Sequence, residues 1–176
     1  MSKRTVLMIC GSVRDGSMNA AVLRTAAELL PEGVRGVVYE GLVTLPHFNP
    51  DLDHEPLPPP VVALRRAIAD ADAMLFSTPE YAGAMPGALK NLLEWTVGGA
   101  ETSGKRTGWL NPSTGPTRAA GTYTSLGIVL RYTDAAIVDA ACADVPVTRA
   151  LIGPDGRITD EATRTTIEQA VRALVE

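Results

Sequence analysis

The stretch Gly11 to Asn19, GSVRDGSMN, sets two hydroxyls (Ser12 and Ser17), one guanidinium (Arg14) and one carboxamide (Asn19) between an apolar run and a helical repeat. Such a set can hold an anion without a metal. A helix start offers unpaired backbone N–H groups, and hydroxyl and guanidinium donors add charge-assisted bonds. The spacing sorts the candidate anions. Gly11 and Gly16 have the G-x-x-x-x-G interval of a nucleotide-hydrolysing loop, but Ser17 and Met18 stand where that loop needs Lys and Ser or Thr for phosphates and magnesium. The dinucleotide pattern G-x-G-x-x-G is missing as well, because Val13 occupies its middle glycine.

What remains suits a terminal phosphate monoester, a group that flavin mononucleotide (FMN) carries. A capped turn between strand and helix explains the same residues equally well, since Ser and Asn commonly satisfy a helix start. On this loop alone both readings stay open.

Other chemistry-bearing residues give less. Cys10 and Cys142 have no C-x-x-C spacing and no His at ligand distance, which makes them small core residues rather than a disulfide or zinc pair. His47 and His54 lie in LPHFNPDLDHEPLPPP with Asp51, Asp53 and Glu55. This stretch reads as a solvated connection, and no metal site is assigned.

The elements that must position the loop follow from periodicity. Thr5 to Cys10 is a buried strand, followed by a helix with Val22, Ala26, Leu29 and Leu30 on one face, Ser17 as its cap and Pro31 with Gly33 at its end. Val34 to Val43 is a weaker strand interrupted by Gly36 and Gly41, and Pro46 to Pro60 is a surface connection. A helix from Val61 to Ala71, a strand from Ala73 to Thr78 and a helix from Gly87 to Val97 come next. A short strand at Thr107 to Leu110, a helix at Arg118 to Tyr132, a weak strand at Ala135 to Val138 and a last helix capped by Thr159 complete the order. Asp139 to Gly156 carries no clear signal. Alternating strands and helices imply right-handed crossovers, hence a single-domain α/β three-layer sandwich with a five-stranded parallel sheet. Ligands bind outside the carboxyl ends of such strands. The polar loops after the first, third and fourth strands should therefore converge on one site.

The chain has 176 residues, a formal net charge of −4 and 16 scattered Lys and Arg. That excludes the basic footprint of a nucleic-acid binder. The N-terminal residues show neither a secretion signal nor a membrane span, so a cytoplasmic protein with no membrane or nucleic-acid partner is expected.

With GSVRDGSMN in the first loop and PEYAGAMPGALKNLLEW after the third strand, the sequence closely resembles the NADPH-dependent FMN reductase family of flavodoxin-like proteins, which includes quinone, chromate and azo-dye reductases. The family signatures are G-S-x-R-x-x-S-x-N and P-E-Y-N-x-x-x-P-G-x-L-K-N. LPHFNPDLD and DGRITDE also look like its usual segments. The resemblance implies FMN as cofactor, with its phosphate on Ser12, Arg14, Ser17 and Asn19 and the Met18 backbone. It implies an isoalloxazine ring against Pro79, Glu80, Tyr81, Ala82 and Gly83, with Ser113, Thr114 and Gly115 as a third contact. Two departures stand out: Ala82 replaces the usual Asn, and Gly98 to Val147 follows the family least.

The implied activity is reduction of quinones, free flavin or other small acceptors by NADPH or NADH, in a ping-pong sequence of hydride transfers. The rival is an FMN-binding electron carrier of flavodoxin type. Leu89, Leu92, Leu93 and Trp95 surround much of the third helix, which together with the resemblance implies a homodimer or homotetramer paired near it.

Overall fold

In the computed structural model, which describes residues 4–176, five parallel strands form one sheet in the order β2-β1-β3-β4-β5. The strands are β1 (Arg4–Cys10), β2 (Val34–Val38), β3 (Ala73–Ser77), β4 (Arg106–Asn111) and β5 (Ala136–Asp144). The helices are α1 (Met18–Glu28), α2 (Pro59–Ala69), α3 (Gly87–Glu94), α4 (Ala120–Tyr132) and α5 (Glu161–Val175). Alternate residues of each central strand serve opposite cores, as a pleated sheet requires. Leu7 and Ile9 of β1 and Met74 and Phe76 of β3 pack with α2, α3 and α4. Val6, Met8, Ala73 and Leu75 pack with α1 and α5. This is the expected flavodoxin-like three-layer sandwich. Strand order reverses between β1 and β3, which share a register that ends at Cys10 opposite Ser77.

Several boundaries differ from expectation for identifiable reasons. β2 stops at Val38, because Gly41–Thr44 folds into a 3-10 turn. α4 starts at Ala120 rather than Arg118, since Arg118 and Ala119 have φ of +47° and +53° and cannot belong to a right-handed helix. The last helix is capped by Asp160, which accepts from the Thr163 N–H at 2.9 Å. Thr159 instead donates its hydroxyl to the Leu151 carbonyl.

β5 is longer than Ala135 to Val138 and carries a bulge: the pairs Thr107–Ile137 and Trp109–Cys142 match a step of two residues on β4 to a step of five on β5. A Cβ on Gly108 would lie 2.6 Å from the Ala141 carbonyl, so only glycine admits this close approach. Cys10 and Cys142 are free and only partly buried. Burial pushes both thiols up, Cys142 to about 11.

The connection after β2 is more than a solvated loop. Trp95 Nε1 and Asn91 Nδ2 both donate to the Pro46 carbonyl, at 2.8 and 2.9 Å. Phe48 packs edge-on to Trp95 with ring centroids 5.0 Å apart. Asp53 forms a mostly buried ion pair with Arg65 at 2.5 Å. The segment thus covers α3, and Leu89, Leu92, Leu93 and Trp95 are all fully buried within the chain. The expected surplus of apolar surface on α3 is absent, because this connection and the sheet consume it. No helix among the described residues is long and apolar enough to cross a membrane.

Candidate functional site

The loops after β1, β3 and β4 meet in a cleft of about 250 Å³ at the carboxyl ends of the strands. Met18 and Asn19 line it from the first loop, Thr78, Pro79 and Glu80 from the second, and Ser113, Thr114 and Gly115 from the third. Its size falls just below the ~300–1,000 Å³ that ligand sites usually enclose. A ligand held here keeps one side in solvent.

The first loop leaves β1 with Gly11 pressed against β3: its N–H donates to the Ser77 carbonyl at 2.9 Å, and a Cβ there would lie 2.1 Å from Thr78 Oγ1. Ser17 caps α1 by accepting from the Asn19 N–H at 3.2 Å. Ser12 Oγ accepts from the Arg14 N–H at 3.3 Å. The N–H groups of Ser12, Val13, Asp15, Gly16, Ser17 and Met18 have no partner among the described residues. Arg14 is exposed and makes no ion pair among them. Free donors in a turn that ends on a helix start fit a phosphate. Asn19 faces inward instead, with Oδ1 accepting from Ser77 Oγ at 3.0 Å. Its side chain ties α1 to β3 and holds Ser17 from behind.

The second loop closes as a two-residue hairpin in which Tyr81 and Ala84 exchange backbone bonds of 2.9 and 3.1 Å. Ala82 and Gly83 at its tip have φ of +52° and +76°, both left-handed. Two successive left-handed residues define the turn type that favours Asn-Gly. The position where the family carries Asn is therefore one that Asn fits conformationally, and Ala82 occupies it under strain. Tyr81 is 50% exposed, beside the cleft rather than in its wall. Ser12, Arg14 and Ser17 likewise lie outside the wall, in the adjoining loop.

Several residues that shape the site escaped sequence reasoning. Tyr123 of α4 reaches between β3 and β4, with its hydroxyl 3.1 Å from the Leu110 carbonyl and 3.2 Å from the Thr78 carbonyl. Burial drives its ionisation far above the ordinary tyrosine range. Asn111 organises the third loop, donating to the Arg118 carbonyl at 2.8 Å and to Asp144 at 2.7 Å while accepting from the Ser113 N–H at 3.1 Å. The Asn-Pro pair at the end of β4 is its only sequence signal. Among the described residues no group of three or more His, Cys, Asp or Glu comes together for a metal.

A five-stranded parallel sheet with a cleft over the β1/β3 reversal defines a flavodoxin-like fold. Residues 4–145 match the family model for NADPH-dependent FMN reductase, and the chain belongs to that family. A NAD(P)H-dependent FMN reductase of Pseudomonas aeruginosa is 33% identical over 171 residues, covering 96% of this chain and 92% of that protein. A quinone reductase of Escherichia coli is 34% identical over 94 residues, covering 53% of this chain and 50% of that enzyme. The flavoenzyme NAD(P)H:(acceptor) oxidoreductase of Paracoccus denitrificans superimposes with a TM-score of 0.86 at 28% identity, covering 98% of this chain and 95% of that one. The chain is accordingly an FMN-dependent oxidoreductase that uses NAD(P)H.

Proposed function

We propose that the three-loop cleft binds FMN and that NADPH or NADH and a quinone or other small planar acceptor use its open side in turn. The convergence of Met18, Thr78 to Glu80 and Ser113 to Gly115 on one cleft, beside a loop of free N–H donors, carries this reading. Ser12, Arg14 and Ser17 with the Met18 N–H hold the phosphate, and Asn19 keeps Ser17 in place. The backbone of Pro79 to Gly83 and the Ser113–Gly115 turn border the ring. FMN, when bound, supplies the ring that accepts hydride from the nicotinamide and passes electrons to the acceptor.

The protein's part is to orient and to shield. The ionisable groups nearest the cleft are already committed: Glu80 accepts from the Thr122 N–H at 3.1 Å, and Tyr123 is locked between β3 and β4. Neither is assigned a proton-transfer role. A half-exposed Tyr81 beside the open side suits stacking of planar substrates.

Steady NADPH oxidation by catalytic amounts of FMN-loaded protein in the presence of a quinone is expected. A single stoichiometric reduction without turnover would make the protein an electron carrier instead. We also infer a homodimer, or a pair of dimers, formed on α4 rather than α3, because Ile128 and Tyr132 are 62% and 79% exposed on its outer face. Sedimentation at micromolar concentration should show the dimer, and Tyr132→Asp should weaken it without unfolding the chain.

A further inference from the structure

The loop between β1 and α1 is not held by its own residues alone. Arg149, from the short turn Arg149–Leu151 that follows β5, donates from Nη1 to the Gly16 carbonyl at 3.3 Å across 133 residues of sequence. Its other nitrogen, Nη2, stands 3.8 Å from where a Gly16 Cβ would be. Arg149 makes no ion pair among the described residues. Its contact in the fold is therefore a backbone carbonyl of the loop that carries the free N–H groups.

We propose that Arg149 is a positioning residue for FMN phosphate recognition, acting through the Gly16–Ser17 peptide; this rests on the reading of the first loop as the phosphate site. A trans peptide is planar, so the Ser17 N–H points opposite to the Gly16 carbonyl. Fixing the carbonyl toward Arg149 fixes the Ser17 N–H on the other side. Gly16 sits at φ +62°, and without a Cβ it also rotates about ψ with little hindrance. Such rotation swings the Gly16–Ser17 peptide and turns the Ser17 N–H off an anion. The guanidinium on the carbonyl side opposes that swing. Arg14, in the loop itself, is the direct cationic ligand, while Arg149 governs which way one donor faces.

The test is fluorescence titration of the flavin-free protein with FMN and with riboflavin, which lacks the phosphate, for the wild type, Arg149→Ala and Arg149→Lys. Because Arg149 is exposed, both variants should fold, and far-ultraviolet circular dichroism checks this. The expected result is an FMN dissociation constant raised about tenfold in Arg149→Ala, the size of a lost charge-assisted contact near the surface. Riboflavin binding should change by less than about twofold, and Arg149→Lys should recover most of the loss by supplying a donor to the same carbonyl. Equal weakening of both ligands, or unchanged FMN affinity in Arg149→Ala, would overturn the inference while leaving the phosphate loop intact. Wild-type protein that binds riboflavin as tightly as FMN would overturn the phosphate reading and the inference together.

Discussion

The Glu80 carboxylate, from the loop after β3, accepts a hydrogen bond from the Thr122 N–H at 3.1 Å and thereby caps α4, whose own N-cap residue, Ala119, has no side chain able to do so. Pro79 strengthens the link by accepting from Thr122 Oγ1 at 3.0 Å. The wall of the cleft and the start of α4 are thus one unit. A Cβ on Gly121 would fall 2.1 Å from the Gly83 carbonyl, which shows how closely the helix start approaches the hairpin.

Glu80→Ala removes that cap and should destabilise the protein by about 1 kcal/mol. For a chain of this size the melting temperature should fall by ~2–4 °C. Glu80→Gln keeps an acceptor and should recover much of the loss. Thermal unfolding of the flavin-free variants checks both, and an unchanged Glu80→Ala would remove the cap from the account.

Ala82 is strained by its left-handed φ of +52°, a conformation costing an ordinary L-residue ~1–2 kcal/mol. Ala82→Gly and Ala82→Asn should each raise stability by up to ~1 kcal/mol. Gly83→Ala should lower it although nothing lies within 4 Å of the added Cβ, because backbone conformation and not space is the constraint. Chemical denaturation midpoints of the three variants read the signs directly.

How much of this was legible in the sequence depended on whether one residue type had one conformational meaning. Ser17 before a helical repeat reads as a cap and is one. The convergence of loops follows from counting alternating strands and helices, and the cleft lies where they meet. Other features had no local signature. Nothing near Tyr123 or Arg149 announces their roles, because their partners lie on distant strands and loops. Asp139 to Asp144 lacks strand alternation because a bulge throws its register. Leu89, Leu92 and Leu93 fit two explanations, a partner chain or a covering segment, and only the path of Pro46 to Asp53 over α3 decides for the second.

That covering segment changes what a polar substitution on α3 should do. Leu92 is completely buried, so Leu92→Ala should cost ~2–5 kcal/mol and Leu92→Asp should prevent folding, rather than separate two folded copies. Folded, monomeric Leu92→Asp protein would contradict the packing described for α3.

Stability should decline in alkaline solution. The Cys142 thiol ionises near 11 in the folded chain against 9.0 unperturbed, and the buried Tyr123 phenol is displaced in the same direction. An acid whose folded value is raised keeps its proton while the unfolded chain gives it up. Its stabilisation is complete below the unfolded value and drains away as pH rises through the window up to the folded one. For Cys142 that window runs from about 9 to about 11. Denaturation midpoints measured across it should fall, and Cys142→Ala should fall less steeply.

Two-substrate kinetics test the shared open face most directly. NADPH oxidation should be measured against quinone concentration at several fixed NADPH concentrations with FMN-loaded protein. A single site used in turn predicts parallel double-reciprocal lines, the signature of double displacement. Lines that intersect would mean NADPH and quinone are held together, and would contradict a cleft with one face open to both.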